Sequence, residues 1–320
     1  MIEAESIESR TKALADSDWG GYLGVLLASA CWGSSGVFIK FLVADSGVSA
    51  LALAFWRDLF TFTVLLATLL LFRPSWLRVR RADLVWLFAL GACLGILHVF
   101  WNLGVLVNGA AVATVQQAAA PAIVAIAAWL IWHELLGWNK VLAIVLTFAG
   151  TVLVSGLDVL GRFNLSANGV LIGLGIPIMY SCWMLLGKKV RAGYNALTIM
   201  TFGFGFSSMV LLPMQAFTPQ PWPVKASSWL WFAGLIAIPT VAGFLLYTYA
   251  LGQLPVSVST ILAMSEIAFV SVYAYILLDE RLTASQVIGT VLVVTGVVLL
   301  SWTRQRKKKD APALNPQTSA

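Results

Sequence analysis

Few residues of this 320-residue chain could do chemistry, and most of them stand inside apolar runs. Glu266 is a lone carboxylate in TILAMSEIAFVSVYAYILLDE (260–280). Arg57 and Asp58 sit side by side in FWRDL (55–59). His98, Trp101 and Asn102 are spaced i, i+3 and i+4, which sets them on one face of a helix. A carboxylate in such a run can hold a substrate ammonium group or exchange a proton. It can equally accept hydrogen bonds from a neighbouring helix and fix packing, and both readings stay open. Neighbours on a helix point about 100° apart, so Arg57 and Asp58 are expected to find partners on other helices, as a structural or gating ion pair. The face of His98, Trp101 and Asn102 reads either as the wall of a binding cavity or as a satisfied interhelical network. Phe244, Tyr247 and Thr248 repeat that spacing further along. Gln117 beside Gln116 could add donors, and Trp32, Tyr180 and Trp183 could add aromatic walls.

Other chemistries have weaker support. Gly33-Ser34-Ser35-Gly36 with His98 as a distant base has the parts of an intramembrane serine hydrolase, although small residues serve close helix packing as well. There is no GxxxxGK[ST] loop for a nucleotide and no HExxH for a metal. Cys31, Cys93 and Cys182 form no CxxC and lie within apolar runs, so three free thiols are expected. No cofactor is implied.

The elements that must position these residues follow from composition. Hydrophobic residues make up 60% and charged residues 11% of the chain, against about 25% charged in an ordinary soluble domain. Mean hydropathy is +0.88. The solvent for most of the chain is therefore a bilayer. A spanning helix needs about 20 apolar residues. Ten such runs are present, near 20–43, 48–72, 83–106, 110–131, 138–156, 167–187, 194–217, 229–251, 255–278 and 284–302. With the N-terminus inside, 15 Lys and Arg fall in inside segments and 3 in outside segments, which predicts both termini in the cytoplasm. The +6 charge thus reports topology rather than a nucleic-acid surface. Polar tails are expected at 1–19 and 303–320.

The chain also repeats itself. Residues 111–154 align with 257–300 at an offset of 146 without a gap, bringing Thr114 to Thr260, His133-Glu134 to Asp279-Glu280 and Gly150 to Gly296. Cys31-Trp32 and Cys182-Trp183 match at offset 151. This divides the chain into five-helix halves, 20–156 and 157–302. Five is odd, so the second half must enter the membrane inverted, an arrangement common in secondary transporters. Glu134 and Glu280 fall at equivalent span ends and read as interfacial caps.

ACWGSSGVFIK (30–40), FWRDL (55–59) and SEIAFVSVYAYILLDE (265–280), set in ten spans with two five-helix repeats, resemble the drug/metabolite transporter superfamily in its EamA branch. Pro121 keeps the mid-span proline of that pattern, whereas Ile267 stands in its place in the ninth span. The resemblance implies an all-helical membrane protein with one central site lined by spans 1, 3, 4, 6, 8 and 9. It also implies a small-metabolite substrate and export across the inner (plasma) membrane. One carboxylate among aromatic residues suits an amino acid, an amine or an aromatic compound. The expected mode is alternating access, with Glu266 holding an ammonium or cycling a proton. A uniporter or channel for a small solute is the alternative, and a monomer or homodimer serves either.

Overall fold

The computed structural model describes residues 19–46, 48–108, 110–156, 167–216, 226–277 and 283–309, and among these the regular structure is helical. Ten helices are long and apolar enough to cross a membrane: α1 (Trp19–Leu42), α2 (Leu51–Phe72), α3 (Arg81–Trp101), α4 (Ala113–Trp132), α5 (Trp138–Ser155), α6 (Leu171–Arg191), α7 (Ala196–Ala216), α8 (Ala226–Leu251), α9 (Val256–Leu277) and α10 (Ala284–Ser301). Their ends fall within a few residues of those read from hydropathy. Local chemistry sets several boundaries. Ser49 caps α2 by accepting from Ala52 N at 3.2 Å, and Asn195 caps α7 by accepting from Thr198 N at 2.9 Å.

Several spans are not continuous helices. The fourth is two pieces, Ala110–Gln117 and Ala120–Trp132. The ninth is likewise two pieces, Val256–Ala263 and Glu266–Leu277. At the repeat offset of 146 the two breaks coincide. In α4, Pro121 has no N–H to give to Gln117 O. In α9 the equivalent residue is Ile267, whose N–H bonds Met264 O at 3.1 Å instead of Ala263 O. The freed Ala263 carbonyl accepts from Ser29 Oγ of α1 at 3.4 Å. One break follows from proline, and at the other the freed carbonyl is taken up by a hydroxyl of a neighbouring helix. In α8, a π-helical stretch at Ile236–Ala242 carries Pro239 and leads into Gly243–Leu251.

Among the described residues the most extensive helix–helix contact is α5 with α10. A side-chain carbon at Gly150 would sit 2.6 Å from Gly289 O, and one at Gly289 would sit 2.6 Å from Gly150 O. Both positions must lack one, and the backbones touch directly. On the other side of the bundle, α3 packs extensively against both α6 and α7, and α2 packs against α7. Leucine, isoleucine and valine side chains of α2, α6 and α10 point outward and form the lipid-facing surface.

At one end of the bundle the connection between α4 and α5 reaches across to α9. Glu134 accepts from Val256 N at 3.1 Å and from the Ser257 hydroxyl, so it caps the first half of α9. Lys140 joins the group, 3.3 Å from Glu134 Oε2 and 2.8 Å from Ser257 Oγ. Glu280, its repeat equivalent, lies outside the described residues.

Candidate functional site

Six aromatic side chains from four helices meet at the centre of the bundle. Trp32 of α1 lies 5.1 Å from Tyr247 and 5.3 Å from Phe244, both on α8. Trp183 of α6 stacks on Tyr247 at 5.6 Å and meets Phe244 at 5.3 Å. Tyr180, one turn before Trp183, is 5.9 Å from it, and Phe204 of α7 meets Phe244 at 5.2 Å. Such a cluster gains from edge and offset contacts, but its polar tips must also be served. The Trp32 and Trp183 indole N–H groups, the Tyr180 hydroxyl and the Ser265 hydroxyl are buried and have no hydrogen-bond partner among the described residues. Each such group costs about 1–3 kcal/mol when left unmade.

The break of α9 enters this region. Ser265 belongs to the two-residue break, and Glu266 opens the second half-helix. The carboxylate is half-buried, close enough to Tyr180 to act on it electrostatically, and receives no hydrogen bond or ion pair among the described residues. The N-terminal end of the half-helix adds positive dipole at this point. Close approach of α1 is secured at Gly33, where a side-chain carbon would sit 2.9 Å from Phe269 Cβ and 3.3 Å from Glu266 O. Gln117 ends the first half of α4, at the register that corresponds to Ala263. The arrangement offers a carboxylate, several unspent donors and an aromatic wall.

A second polar group lies between α2, α3 and α7. Asp58, fully buried, accepts from Ser207 Oγ at 2.6 Å and is bonded to His98 Nδ1 at 3.0 Å. Arg57 donates from Nη2 to His98 Nε2 at 2.7 Å. Arg57 Nε is also 3.5 Å from Asp58 Oδ1, yet neither atom makes a hydrogen bond. Sequence neighbours thus come closer than helical geometry alone suggested, while their hydrogen bonds go to other helices. His98 belongs to this group, and the aromatic centre is built without it. Trp101 packs, partly buried, against the main core, and Asn102 has its side chain outside the described ones.

Phe204, Ser207 and Ser265 were not singled out in the sequence. Phe204 was hidden in the glycine-rich TFGFGFSS, although the paired serines at its end are polar enough to have drawn notice. A cleft of about 460 Å³ between α2 and α7 is lined by Phe55, Phe62, Phe202 and Phe206. Its two hydroxyls, Thr201 and Ser208, are spent on Leu197 O and Gly205 O. It offers only hydrocarbon and suits a lipid tail.

A family model described as the EamA-like transporter family matches the chain twice, at residues 19–156 and 167–302. The chain belongs to the EamA-like transporter family. Relatives carry similar names. An uncharacterized inner membrane transporter, YicL, of Salmonella typhimurium is 26% identical over 91% of this chain and 98% of its own. An uncharacterized transporter of Archaeoglobus fulgidus is 29% identical, but the match covers 42% of this chain and 47% of that one. A solved crystal structure that is 19% identical shares the fold, with a TM-score of 0.74 over 90% of this chain and 98% of that one.

An EamA-like protein is a transporter, and the geometry agrees that this one is not a hydrolase. Both ring nitrogens of His98 are engaged by Asp58 and Arg57, so the base that a Ser35 nucleophile would require is not presented to it. No cluster of metal-ligating side chains occurs among the described residues.

Proposed function

We propose that the chain is a secondary transporter that exports a small amino acid, amine or aromatic metabolite across the inner membrane by alternating access. The observation that carries this reading is the carboxylate of Glu266 at the break of α9, unpaired among the described residues and close to Tyr180 in a region whose buried indole and hydroxyl donors make no hydrogen bond there. Interior charge of this kind costs about 2.5–3.5 kcal/mol on insertion scales, and a substrate that pairs with it returns that cost. Broken spans with half-helix ends at mid-membrane are what carriers use to coordinate a solute. The two coincident breaks and the double family match support inverted halves that rock around this point. The Lys and Arg asymmetry supports both termini in the cytoplasm.

Counterflow in proteoliposomes tests the reading. Vesicles are preloaded with amino acids, amines, nucleosides or sugars and offered the labelled counterpart outside. Exchange by amino acids or amines, lost in Glu266→Gln, is the expected result. If counterflow survives in Glu266→Gln while uphill transport collapses, the carboxylate cycles a proton and does not hold the substrate. Exchange of a neutral solute that is indifferent to Glu266→Gln sinks the reading in favour of a uniporter.

A further inference from the structure

The group at Arg57, Asp58 and His98 has a property that neither the aromatic centre nor the proposed transport requires. Arginine carries only donors. Arg57 Nη2 lies 2.7 Å from His98 Nε2 and 3.3 Å from Nδ1, and because Nδ1 is committed to the Asp58 carboxylate, which only accepts, Nε2 is the nitrogen that accepts from Arg57 and carries no proton. The proton of the neutral ring then sits on Nδ1, where Asp58 Oδ2 accepts it at 3.0 Å. A proton and the Arg57 guanidinium compete for one lone pair. When a proton adds to Nε2, the ring becomes an imidazolium, keeps its bond to Asp58 through Nδ1–H, and can no longer accept from Arg57. The net charge of the group rises from zero to plus one.

The structure also holds the place to which Arg57 would go. Asp58 Oδ1 is buried without a hydrogen bond, and Arg57 Nε, equally unspent, is 3.5 Å away. A small rotation of the guanidinium converts this pair into a hydrogen bond. Its side chain, 16% exposed, has room to turn, whereas Asp58 is held by Ser207. Two arrangements are thus available, with Arg57 on α3 through His98 or on its own helix through Asp58, and the proton decides between them.

We infer that His98 is a proton-binding site in which proton uptake releases Arg57 of α2 from α3. The charged groups acting on His98 are Arg57 and Asp58 of α2. From α7 it is faced, by way of Asp58, by the neutral Ser207 hydroxyl. From α6 come Cys182, which meets Cys93 five residues before His98, and Tyr180, which belongs to the aromatic centre. The inference is independent of what binds at Glu266.

The chain has two histidines, so a His133→Gln protein labelled with 15N-histidine gives the imidazole spectrum of His98 alone. The measurement is made in lipid nanodiscs as a function of pH. At pH 8 the expected spectrum is the Nδ1–H tautomer with an unprotonated Nε2. Acidification through about pH 8 to 5, the range in which imidazoles switch, should protonate Nε2 in a single step. Arg57→Met, which removes the competitor, should raise the proton affinity at least fivefold. An Nε2–H tautomer at pH 8, or a ring that does not titrate over that range, overturns the inference. So does an Arg57→Met protein whose spectrum shows it folded and whose proton affinity is unchanged.

Discussion

At Asp58, Oδ2 accepts from both His98 and Ser207, with Arg57 alongside; at Glu266, half-exposed at the break of α9, nothing bonds the carboxylate. Both are acids within a span. The first is bonded through Oδ2 to α3 and α7 and has the Arg57 guanidinium 3.5 Å from Oδ1. The second keeps its capacity free, next to Ser265 and close to Tyr180, whose hydroxyls likewise make no hydrogen bond among the described residues. Burying a charge without a partner is costly, so a chain that supplies partners in one place and withholds them in another marks the second as waiting for something from outside. Satisfaction identifies the structural acid, and its lack identifies the binding one.

The comparison can be broken at either end, and the expected loss of stability falls as the one in transport rises. Asp58→Ala should be the most damaging to the fold, because it strands Arg57 in the interior. A loss of about 3–5 kcal/mol is expected for removing one partner of a buried pair, read as thermal or denaturant stability of purified protein in lipid. Ser207→Ala keeps the charges and removes one donor to Asp58. About 1.5–3 kcal/mol is expected in the same assay, and no effect would show that Ser207 is incidental. Ser29→Ala, which withdraws the hydroxyl from Ala263 O, should cost about 0.5–1.5 kcal/mol. Amide exchange at Ile267 would show whether the break in α9 heals. Glu266→Gln should leave stability almost untouched while abolishing exchange. A large drop in stability there would mean that the carboxylate has a structural partner and that the contrast with Asp58 is wrong.

How much of this was legible in the sequence depends on how local the cause is. The ten spans follow from hydropathy, a property of consecutive residues. The proline break in α4 is equally local. The matching break in α9 was not legible, since no proline marks it and the carbonyl it frees is served by Ser29, more than two hundred residues away. Arg57 and Asp58 announced a need for partners on other helices, and the structure supplies His98 and Ser207. Spacing placed His98, Trp101 and Asn102 on one face, but spacing does not say what that face looks at, and for His98 it is α2. Glu134 as an interfacial cap was readable from its place at a span end. That its client is the start of α9 is a matter of tertiary packing.

The direct backbone contact of α5 with α10 has a consequence for how the protein can be assembled. These are the last spans of the two matched segments, so the most extensive helix contact among the described residues joins one half to the other without relying on the covalent thread at 157–166. The halves are in effect subunits of a heterodimer that happens to be translated as one chain. Residues 1–160 and 161–320, co-expressed as separate polypeptides, should find each other and co-purify. Gly150→Leu in the first fragment should prevent it, since a bulky side chain there would run into the Gly289 carbonyl and Val293.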